Sequence, residues 1–383
     1  MIYPVHSGTD DNQSFNMQEI EYSIQNLLES GKSFYAFHLP QNDFITIAEA
    51  AQVKPFNFSA LNNRHLEESF VCYPFDDRET SGQHFIPAEI KHSRYVPAAD
   101  INDIASLLGN DRDGQLTNIG IPDPSDPDFM EYTAQFTSML EALEHGEVKK
   151  VILSRSIRIE QHLIPTAAEI FIQLTRKHPD AFVYLISSPT TGIWMGASPE
   201  LLLKRQVDLF STVSLAGTRF PTHSMSEWTT KETEEQALVS YYIDNILYSF
   251  NINDFDKAGP EVIRAGNVVH LKTTYKFRWS EDPDVAQFVE ALHPTPALCG
   301  EPKQAALNLI RNVENHSRQF YGGFLGPVSA GRLDLYVNIR CMSLYPGYCT
   351  LFAGGGLTRL SELNSEWRET VAKSRTLLSV ISR

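Results

Sequence analysis

Apolar and polar residues alternate along much of the chain with the period of β-strands, and stretches with helical period lie between these runs. Strands are predicted at SFYAFHLP, FITIAEAA, VILSRSIRI, AFVYLIS, TGIWMGAS, ELLLKRQ, LFSTVSLAGTR, NVVHLKTTYKFRW, LDLYVNIRCMSL and YCTLFAGGG. Helices are predicted near residues 17–30, 167–177, 226–250, 284–292, 301–312 and 364–382, and in PDFMEYTAQFTSMLEALEHGEV. Strands in hairpin-like succession with helices between them favour a layered α+β fold over strict βαβ alternation.

A proline-rich segment, GIPDPSDPDF, separates two regions of different character. Three prolines in this segment cannot continue a helix or a central strand, so it is the best internal boundary. We therefore expect an N-terminal part, residues 1–125, that is mainly scaffold, and a C-terminal part, residues 126–383, that carries the chemistry.

The charge and the cysteine content of the chain limit the kinds of molecule that it is expected to bind. The net charge of -15 argues against nucleic acid and anionic membranes, which both reward a basic face. We find no apolar run long enough to span a membrane and no secretory signal pattern at the start, so the expected location is the cytoplasm. The four cysteines form no C-x-x-C pair, which indicates neither a zinc site nor a disulfide framework. An anionic substrate would need a locally built basic or metal-bearing site.

Two predicted helices repeat the same spacing of carboxylates, Glu232 with Glu235 and Glu366 with Glu369. Residues three apart share a helix face, so each pair presents two carboxylates in one direction. Oxygen ligands of this kind suit Mg²⁺. The alternative is that Glu232 completes a capping box with Thr229 and that the other glutamates lie on solvated helix faces.

Four further residues stand in patterns with both a chemical and a structural interpretation. Glu200 lies between two apolar runs, where burial would raise its pKa toward that of a general acid, although SPE is also a good exposed turn. Arg340 lies in an apolar strand-like run, where it would bind a substrate carboxylate or form a structural salt bridge. Lys373 shares a face with Glu369, as a surface ion pair would also require. His270 follows a strand, and lone histidines are more often structural.

Glycines mark a possible close approach to a ligand. Gly354, Gly355 and Gly356 follow an apolar strand, where their backbone N–H groups could face an anion. A tight turn or bulge explains the same residues equally well. The segment SLAGTR, which contains Thr218, has a similar strand-then-small-residue form.

The order of eight motifs resembles a known family. KVILSR, GASPELL, SLAGTR, ALHPTPALCG, FYGGFLG, VNIRC, FAGGGL and EWRETVAK follow one another as in the chorismate-utilising enzymes, most closely the isochorismate synthase branch. The resemblance covers about Asp128 to the C-terminus. It implies a single large α+β domain in which two antiparallel sheets form a sandwich flanked by helices. It also implies that the substrate is chorismate, bound through Mg²⁺.

The resemblance assigns roles to individual residues. Glu235 and Glu369 fall on direct metal-ligand positions, and Glu232 and Glu366 on their water-mediated companions. Arg340 falls on the position that binds the substrate's side-chain carboxylate, with Tyr321 beside it. The positions expected to bind the rest of the substrate are Thr218, His270, Ala297, Ile339, Gly354, Gly355, Gly356 and Lys373.

Lys150 is the residue that predicts the nucleophile. Relatives that add water at C2 of the ring have a lysine here as general base, whereas relatives that use ammonia usually have glutamine. Burial near a metal cation would lower the lysine pKa, and Glu200 on the opposite ring face would protonate the departing C4 hydroxyl. The expected product is isochorismate, made by a monomer without a glutaminase subunit, for menaquinone or siderophore biosynthesis.

Three rival functions follow from the same resemblance. A salicylate synthase would go on to eliminate pyruvate, although Ala297, Leu298 and Ile339 look like the branch that stops at isochorismate. An amine-transferring relative would require ammonia. A non-catalytic chorismate-binding relative would have lost some of the residues that carry out the chemistry, whereas this sequence has the expected residue type at each of those positions. Gln236 departs from the family pattern, which usually has histidine at this place.

Overall fold

The helices lie close to the positions predicted from periodicity. A computed structural model describes residues 17–94, 124–160, 166–220, 228–279 and 283–381. The α-helices of these ranges are α1 (Met17–Glu29), α2 (Pro127–Glu144), α3 (Ala167–Lys177), α4 (Thr230–Ser249), α5 (Val285–Leu292), α6 (Lys303–Val313) and α7 (Leu363–Ile381). No helix of the described ranges combines the length and hydrophobicity needed to cross a bilayer.

The strands form one continuous sheet in which all pairs are antiparallel. They are β1 (Phe34–His38), β2 (Phe44–Pro55), β3 (Ser69–Tyr73), β4 (Gln83–Arg94), β5 (Lys150–Glu160), β6 (Phe182–Ser188), β7 (Gly192–Ser198), β8 (Leu201–Gln206), β9 (Leu209–Arg219), β10 (Phe255–Ala265), β11 (Val268–Arg278), β12 (Gly300–Glu301), β13 (Phe324–Ser329), β14 (Arg332–Val337), β15 (Cys341–Tyr345) and β16 (Tyr348–Leu357). Their order is β10-β11-β9-β8-β14-β13-β3-β4-β2-β1-β6-β7-β15-β16-β5-β12.

This sheet folds back on itself, so its two halves pack face to face. Phe182 on β6 stacks on Tyr336 of β14 with ring centroids 4.3 Å apart, although the two strands are far apart in the strand order. Phe70 on β3 likewise contacts Phe182. Buried aromatic and aliphatic side chains from both halves form a common core. The predicted α+β sandwich is confirmed, with its two layers joined as one hydrogen-bonded sheet.

The N-terminal strands are integrated in this sheet. Strand β3 pairs with β13, and β1 pairs with β6, so the first four strands join the two halves formed by the rest of the chain. Part of the proline-rich segment, residues 120–123, lies outside the described residues. Asp126 accepts a hydrogen bond from the Asp128 N–H and caps α2, with Pro127 in the first turn. The domain boundary at residue 125 stays a prediction.

The segment LDLYVNIRCMSL is two strands, and its prediction as one strand is wrong. β14 ends at Val337 and pairs with β8 and β13, whereas β15 begins at Cys341 and pairs with β7 and β16. The chain therefore crosses between the two sheet halves at residues 338–340. Arg340 has φ 51°, a left-handed conformation that redirects the backbone immediately before β15 begins.

A second crossing lies beside the first. The chain leaves β7, in one half, and enters β8, in the other, through Pro199 and Glu200. The Val337 N–H donates to Glu200 O at 2.9 Å, and the Ala197 N–H donates to Arg340 O at 3.1 Å. The two crossings are thus hydrogen-bonded to each other, which places Glu200 and Arg340 in one region.

Candidate functional site

A pocket opens at these crossings, between the sheet halves and helices α4 and α7. It encloses about 590 Å³ of space outside protein atoms, part of which is open to solvent. Its lining includes Glu200, Glu235 and all the predicted substrate-binding residues: Thr218, His270, Ala297, Tyr321, Ile339, Arg340, Gly354, Gly355, Gly356 and Lys373. The remaining predicted residues, Lys150, Glu232, Glu366 and Glu369, are not part of this lining. The predicted substrate positions, far apart in sequence, therefore meet in one cavity.

Lys150 lies at the start of β5 and is fully buried. Its side chain has no solvent exposure, and Nζ lies 3.0 Å from Glu235 Oε1 on α4. No described group accepts a well-formed hydrogen bond from Nζ, so the amino group keeps unused hydrogen-bonding capacity. Lys150 lies directly beside Gly356, a residue of the pocket lining, because a Cβ at Gly356 would lie 3.0 Å from Lys150 Cε. Lys150 is therefore not the solvated lysine that its strand position alone would allow.

Glu200 lines the pocket and is buried rather than exposed in a turn. It is 3% exposed, and burial raises its pKa to about 8, against the opposing charges of Lys150 and Lys373. Its backbone N–H donates to Ser198 Oγ at 3.3 Å. The carboxyl group is thus protonated at neutral pH, which is the state a general acid requires.

Arg340 and His270 form a second polar part of the pocket. Arg340 Nη2 donates to His270 Nε2 at 3.4 Å, and Nη1 donates to Lys373 O at 3.0 Å. His270 Nδ1 lies 3.3 Å from Gly217 O and 3.2 Å from Thr218 Oγ1, which assigns the proton to Nδ1. Burial, with Arg340 and Lys373, lowers the pKa of His270 well below 6.5, so the imidazole is neutral.

The Arg340 guanidinium is buried without a carboxylate partner among the groups it touches. Burial lowers its pKa to about 10, so it stays charged at neutral pH. Among the described residues its hydrogen-bond partners are the Lys373 carbonyl, the Thr376 hydroxyl and the neutral His270 ring. A buried cation with only neutral hydrogen-bond partners is suited to bind an anionic group of a ligand.

The three consecutive glycines lie inside strand β16, not in a turn. Gly354, Gly355 and Gly356 pair with Ser154, Leu153 and Ile152 of β5, which leaves the turn interpretation wrong. Side chains crowd both faces of the strand: a Cβ at Gly354 would lie 2.8 Å from Tyr321 Oη, and one at Gly355, on the opposite face, would lie 3.0 Å from Glu366 Oε2. Glycine is required here because the polar groups of the site approach the backbone itself.

Each of the three buried helix carboxylates has a lysine partner. Lys231 Nζ lies 2.7 Å from Glu366 Oε1, and Lys373 Nζ lies 2.6 Å from Glu369 Oε1. Lys373 also donates to Gly354 O at 2.8 Å. Glu369 and Lys373 form the local pair expected from their spacing, but both are mostly buried, so the surface alternative is wrong.

The two carboxylates on α7 differ in pKa. Burial raises the pKa of Glu366 to about 7, against the opposing charge of Lys231. Burial also acts to raise the pKa of Glu369, but Lys373 and Lys231 outweigh it and the pKa falls below its ordinary value. The lysines therefore keep negative charge on Glu369 in a site that solvent hardly reaches.

Glu232 makes the capping box that was the alternative to metal binding. The Thr229 N–H donates to Glu232 Oε2 at 3.0 Å, and the Thr229 hydroxyl donates to the same oxygen. The pair closes the first turn of α4 and so fixes where Glu235 emerges, one turn later. Its predicted role as a companion of the metal stays a prediction.

The donor set fits a hard divalent cation. Glu235, Glu366 and Glu369 supply carboxylate oxygens, and Glu366 Oε2 is buried without a hydrogen-bond partner in the described part of the chain. The Gly355 and Gly356 backbone leaves open the space that a Cβ would fill beside these carboxylates. Within the described ranges no three His, Cys, Asp or Glu side chains lie close enough together to hold a metal ion, and each of these three carboxylates contacts a lysine.

Two polar residues of the site were not predicted to act there. Lys231 is mostly buried; burial acts to lower its pKa, but Glu366, Glu235 and Glu369 raise it above the ordinary value. Lys231 stands four residues before Glu235, a spacing that places both on one helix face and could have indicated it. Gln236, flagged as a departure, donates to Ser214 Oγ at 2.8 Å and so fixes α4 on β9.

Comparisons with known proteins agree on one family. The family described as chorismate binding enzyme matches residues 96–382. Isochorismate synthase EntC of Escherichia coli strain K12 is 31% identical over 244 residues, 61% of this chain and 62% of that protein. The vibriobactin-specific isochorismate synthase of Vibrio cholerae is 31% identical over 67% of each chain. The structure of MenF, the menaquinone-specific isochorismate synthase from Escherichia coli, matches with a TM-score of 0.76, 19% identity and coverage of 97% and 92%.

Proposed function

The chain belongs to the chorismate-binding enzyme family, and from that premise we propose that it is an isochorismate synthase, an isomerase that converts chorismate to isochorismate. The matched segment spans about three fifths of the length of the Escherichia coli relative, at 62%. The names of relatives from two organisms favour this branch of the family. The residues of the pocket supply the further support.

The observation that carries the proposal is a buried lysine and a buried, protonated carboxyl group at one pocket. Lys150 is fully buried beside Gly356, which lines the pocket, and Glu200 lines that pocket with a pKa of about 8. Replacement of one hydroxyl group by another requires a group that accepts a proton and a second group that donates one. Glutamine at position 150 could not take a proton from water, so the lysine favours water as the nucleophile.

The cationic groups of the pocket match a compact dianion. Arg340 is buried with neutral hydrogen-bond partners, which leaves its charge for one carboxylate of chorismate. Lys373 and the Gly354–Gly356 backbone line the same pocket and would bind the second carboxylate. This local positive charge allows a protein of net charge -15 to bind a dianion.

Mg²⁺ is part of the proposal. Glu235, Glu366 and Glu369 are the residues that would hold it, with Glu232 at the start of the same helix as Glu235. When bound, a magnesium ion neutralises the ring carboxylate and withdraws electron density from it. The donor chemistry and the unpartnered Glu366 Oε2 support this role.

The proton transfers fall to two side chains. Lys150 accepts a proton from water as the water oxygen bonds to C2 of the ring. Glu200 donates its proton to the C4 hydroxyl, which leaves as water while the ring double bonds shift. One water enters and one leaves, so chorismate and isochorismate are isomers, and the two side chains exchange their protons through solvent before the next turnover.

Incubation of the purified protein with chorismate and Mg²⁺, followed by chromatography of the products, tests the proposal. Isochorismate as the product supports it. Salicylate and pyruvate released without a second enzyme would identify a salicylate synthase, and an aminated product in ammonium buffer would identify an amine-transferring relative. Absence of any turnover with chorismate would favour a non-catalytic binding protein.

We extend the proposal to cellular context. The enzyme acts in the cytoplasm as a monomer without a glutaminase subunit, and it supplies isochorismate to menaquinone or siderophore biosynthesis. Relatives with both of these specificities support the last point. Light scattering on the purified protein measures the mass of the active species, and a dimer would contradict the monomer.

A further inference from the structure

The outer edge of strand β5, which carries Lys150, has almost no neighbouring strand. β12 pairs with β5 only at Lys150 and Val151, and the Ile152 N–H then donates to Cys299 O at 2.9 Å. On its other edge β5 pairs with β16 along its whole length. Beyond Ile152, side chains rather than a strand must satisfy the outer backbone groups.

Arg318 is one of two side chains that take the place of a neighbouring strand at this edge of β5. It is 1% exposed, and its Nη2 donates to Ile152 O at 2.9 Å while its Nη1 donates to Leu298 O at 2.8 Å. Ile152 and Leu298 both line the pocket, on two different segments. One rigid guanidinium plane therefore joins two walls of the pocket and sets their separation.

Glu314 is the second side chain that takes the place of a neighbouring strand at this edge of β5. Its Oε2 accepts from Arg318 Nε at 2.7 Å, and its Oε1 accepts from Arg318 Nη2 at 2.5 Å. The same Oε1 accepts from the Ser154 N–H at 2.7 Å and from Ser154 Oγ at 3.0 Å. The Glu314 carboxylate thus holds the Arg318 guanidinium in place. It also accepts from the Ser154 N–H, the next backbone group after Ile152 on the outer edge of β5.

The N-terminal part of the chain supports this pair from behind. The Arg318 guanidinium carbon lies 4.2 Å from the centroid of the Phe75 ring. The Phe75 N–H donates to Gln319 O at 3.0 Å, which fixes the ring beside the arginine. A residue from before the proline-rich boundary therefore acts on the pocket through Arg318.

We propose that Arg318, held by Glu314, is a positioning residue that fixes β5, and with it Lys150, against the Leu298 wall of the pocket. The role in turnover rests on the proposed function, whereas the effect on β5 does not. Arg318 contacts no described group that we assign to acid or base chemistry, so it acts through the backbone of Ile152 and Ser154. Misplacement of a reacting group by about 1 Å can lower turnover about a hundredfold.

Arg318→Lys tests the inference because it keeps the charge but removes the planar fork. We expect kcat with chorismate to fall at least about tenfold while KM changes less than about threefold, since the Arg318 side chain donates its hydrogen bonds to Glu314, Leu298 and Ile152 and to none of the predicted substrate-binding residues. Arg311→Lys is the matched control: Arg311 also pairs with a buried carboxylate, Asp76, but it contacts neither Ile152 nor Leu298. Its kcat and KM should equal those of the wild type.

Hydrogen exchange measured by mass spectrometry gives a readout that does not depend on activity. In Arg318→Lys, peptides covering residues 150–160 should exchange about tenfold faster, and the same peptides of Arg311→Lys should not change. If the lysine variant does not fold, Glu314→Gln, which keeps an acceptor but loses the charge, takes its place. Unchanged exchange at β5, or an unchanged kcat in an otherwise active enzyme, overturns the inference. Inactivity of the wild type contradicts the proposed function instead, and the exchange result still decides the role of Arg318.

Discussion

Because the pKa of Glu200, the proposed general acid, is raised in the folded protein, we expect this residue to lower the free energy of unfolding as pH rises. The carboxyl group is 3% exposed, and burial raises its pKa from 4.5 to about 8. Between these two pH values the native carboxyl group holds a proton that the unfolded chain has released. The native state then binds more protons than the unfolded state, so the free energy of unfolding falls as pH rises and the loss is complete above about pH 8.

The size of the effect follows from the two pKa values. Each pH unit in this window costs about 1.36 kcal/mol of stability. The group costs roughly 1 kcal/mol at pH 5 and roughly 4 kcal/mol at pH 8, a change of about 3 to 4 kcal/mol. Glu200→Gln has nearly the same shape and stays neutral, so it removes this dependence. The variant should therefore become increasingly more stable than the wild type as pH rises.

Urea unfolding followed by circular dichroism at pH 5, 6, 7 and 8 measures the difference between the two proteins. Any constant effect of exchanging a hydroxyl for an amide cancels between pH values, which leaves the titration of Glu200. Glu234→Gln, on the exposed face of α4, is the control and should show a flat difference. Turnover of Glu200→Gln should fall about 10²- to 10⁴-fold, the usual contribution of a general acid. A stability difference that is the same at pH 5 and pH 8 would refute the raised pKa.

Three further outcomes are expected. Lys150→Ala should lower kcat about 10²- to 10⁴-fold with the fold retained, as steady-state kinetics and circular dichroism would show, and normal activity would contradict its role as base. Gly356→Ala places a methyl group against Glu235 and 3.0 Å from Lys150 Cε, so kcat should fall about a hundredfold and stability by about 1 to 3 kcal/mol. Removal of Mg²⁺ by a chelator should abolish turnover until Mg²⁺ is restored, and Glu366→Gln should weaken Mg²⁺ binding about tenfold by calorimetry; equal affinity would exclude Glu366 from the site.

Much of the fold could be predicted because its signals are local. The helix at Ala167–Lys177 has a strong apolar face and a Thr166–Glu169 capping box, and its bounds were predicted without error. Strand β10 was missed because it is an exposed edge strand that contains Pro260, and such strands lack the alternation on which prediction depends. The break at Arg340 was missed because a left-handed arginine in an apolar run gives no pattern.

The pairing of charges in the site could be predicted only where it is local. Glu369 and Lys373 lie one turn apart on α7, so their contact follows from helix geometry, and only their burial was unexpected. Lys150 pairs with Glu235 on α4, a partner that depends on how a strand and a helix pack. Spacing alone therefore showed the carboxylates and the Glu369–Lys373 pair, and packing added the lysines that contact Glu235 and Glu366.

Those lysines explain how a cluster of buried carboxylates exists before any ligand binds. A buried carboxylate without a partner would take up a proton, as Glu200 does at a pKa of about 8. Glu369 instead keeps its charge because Lys373 and Lys231 offset the cost of burial. The same fold thus keeps one buried carboxyl group protonated and another ionised, as the proposed general acid and the proposed cation ligand require. The difference lies in the lysines and not in the type of acidic residue.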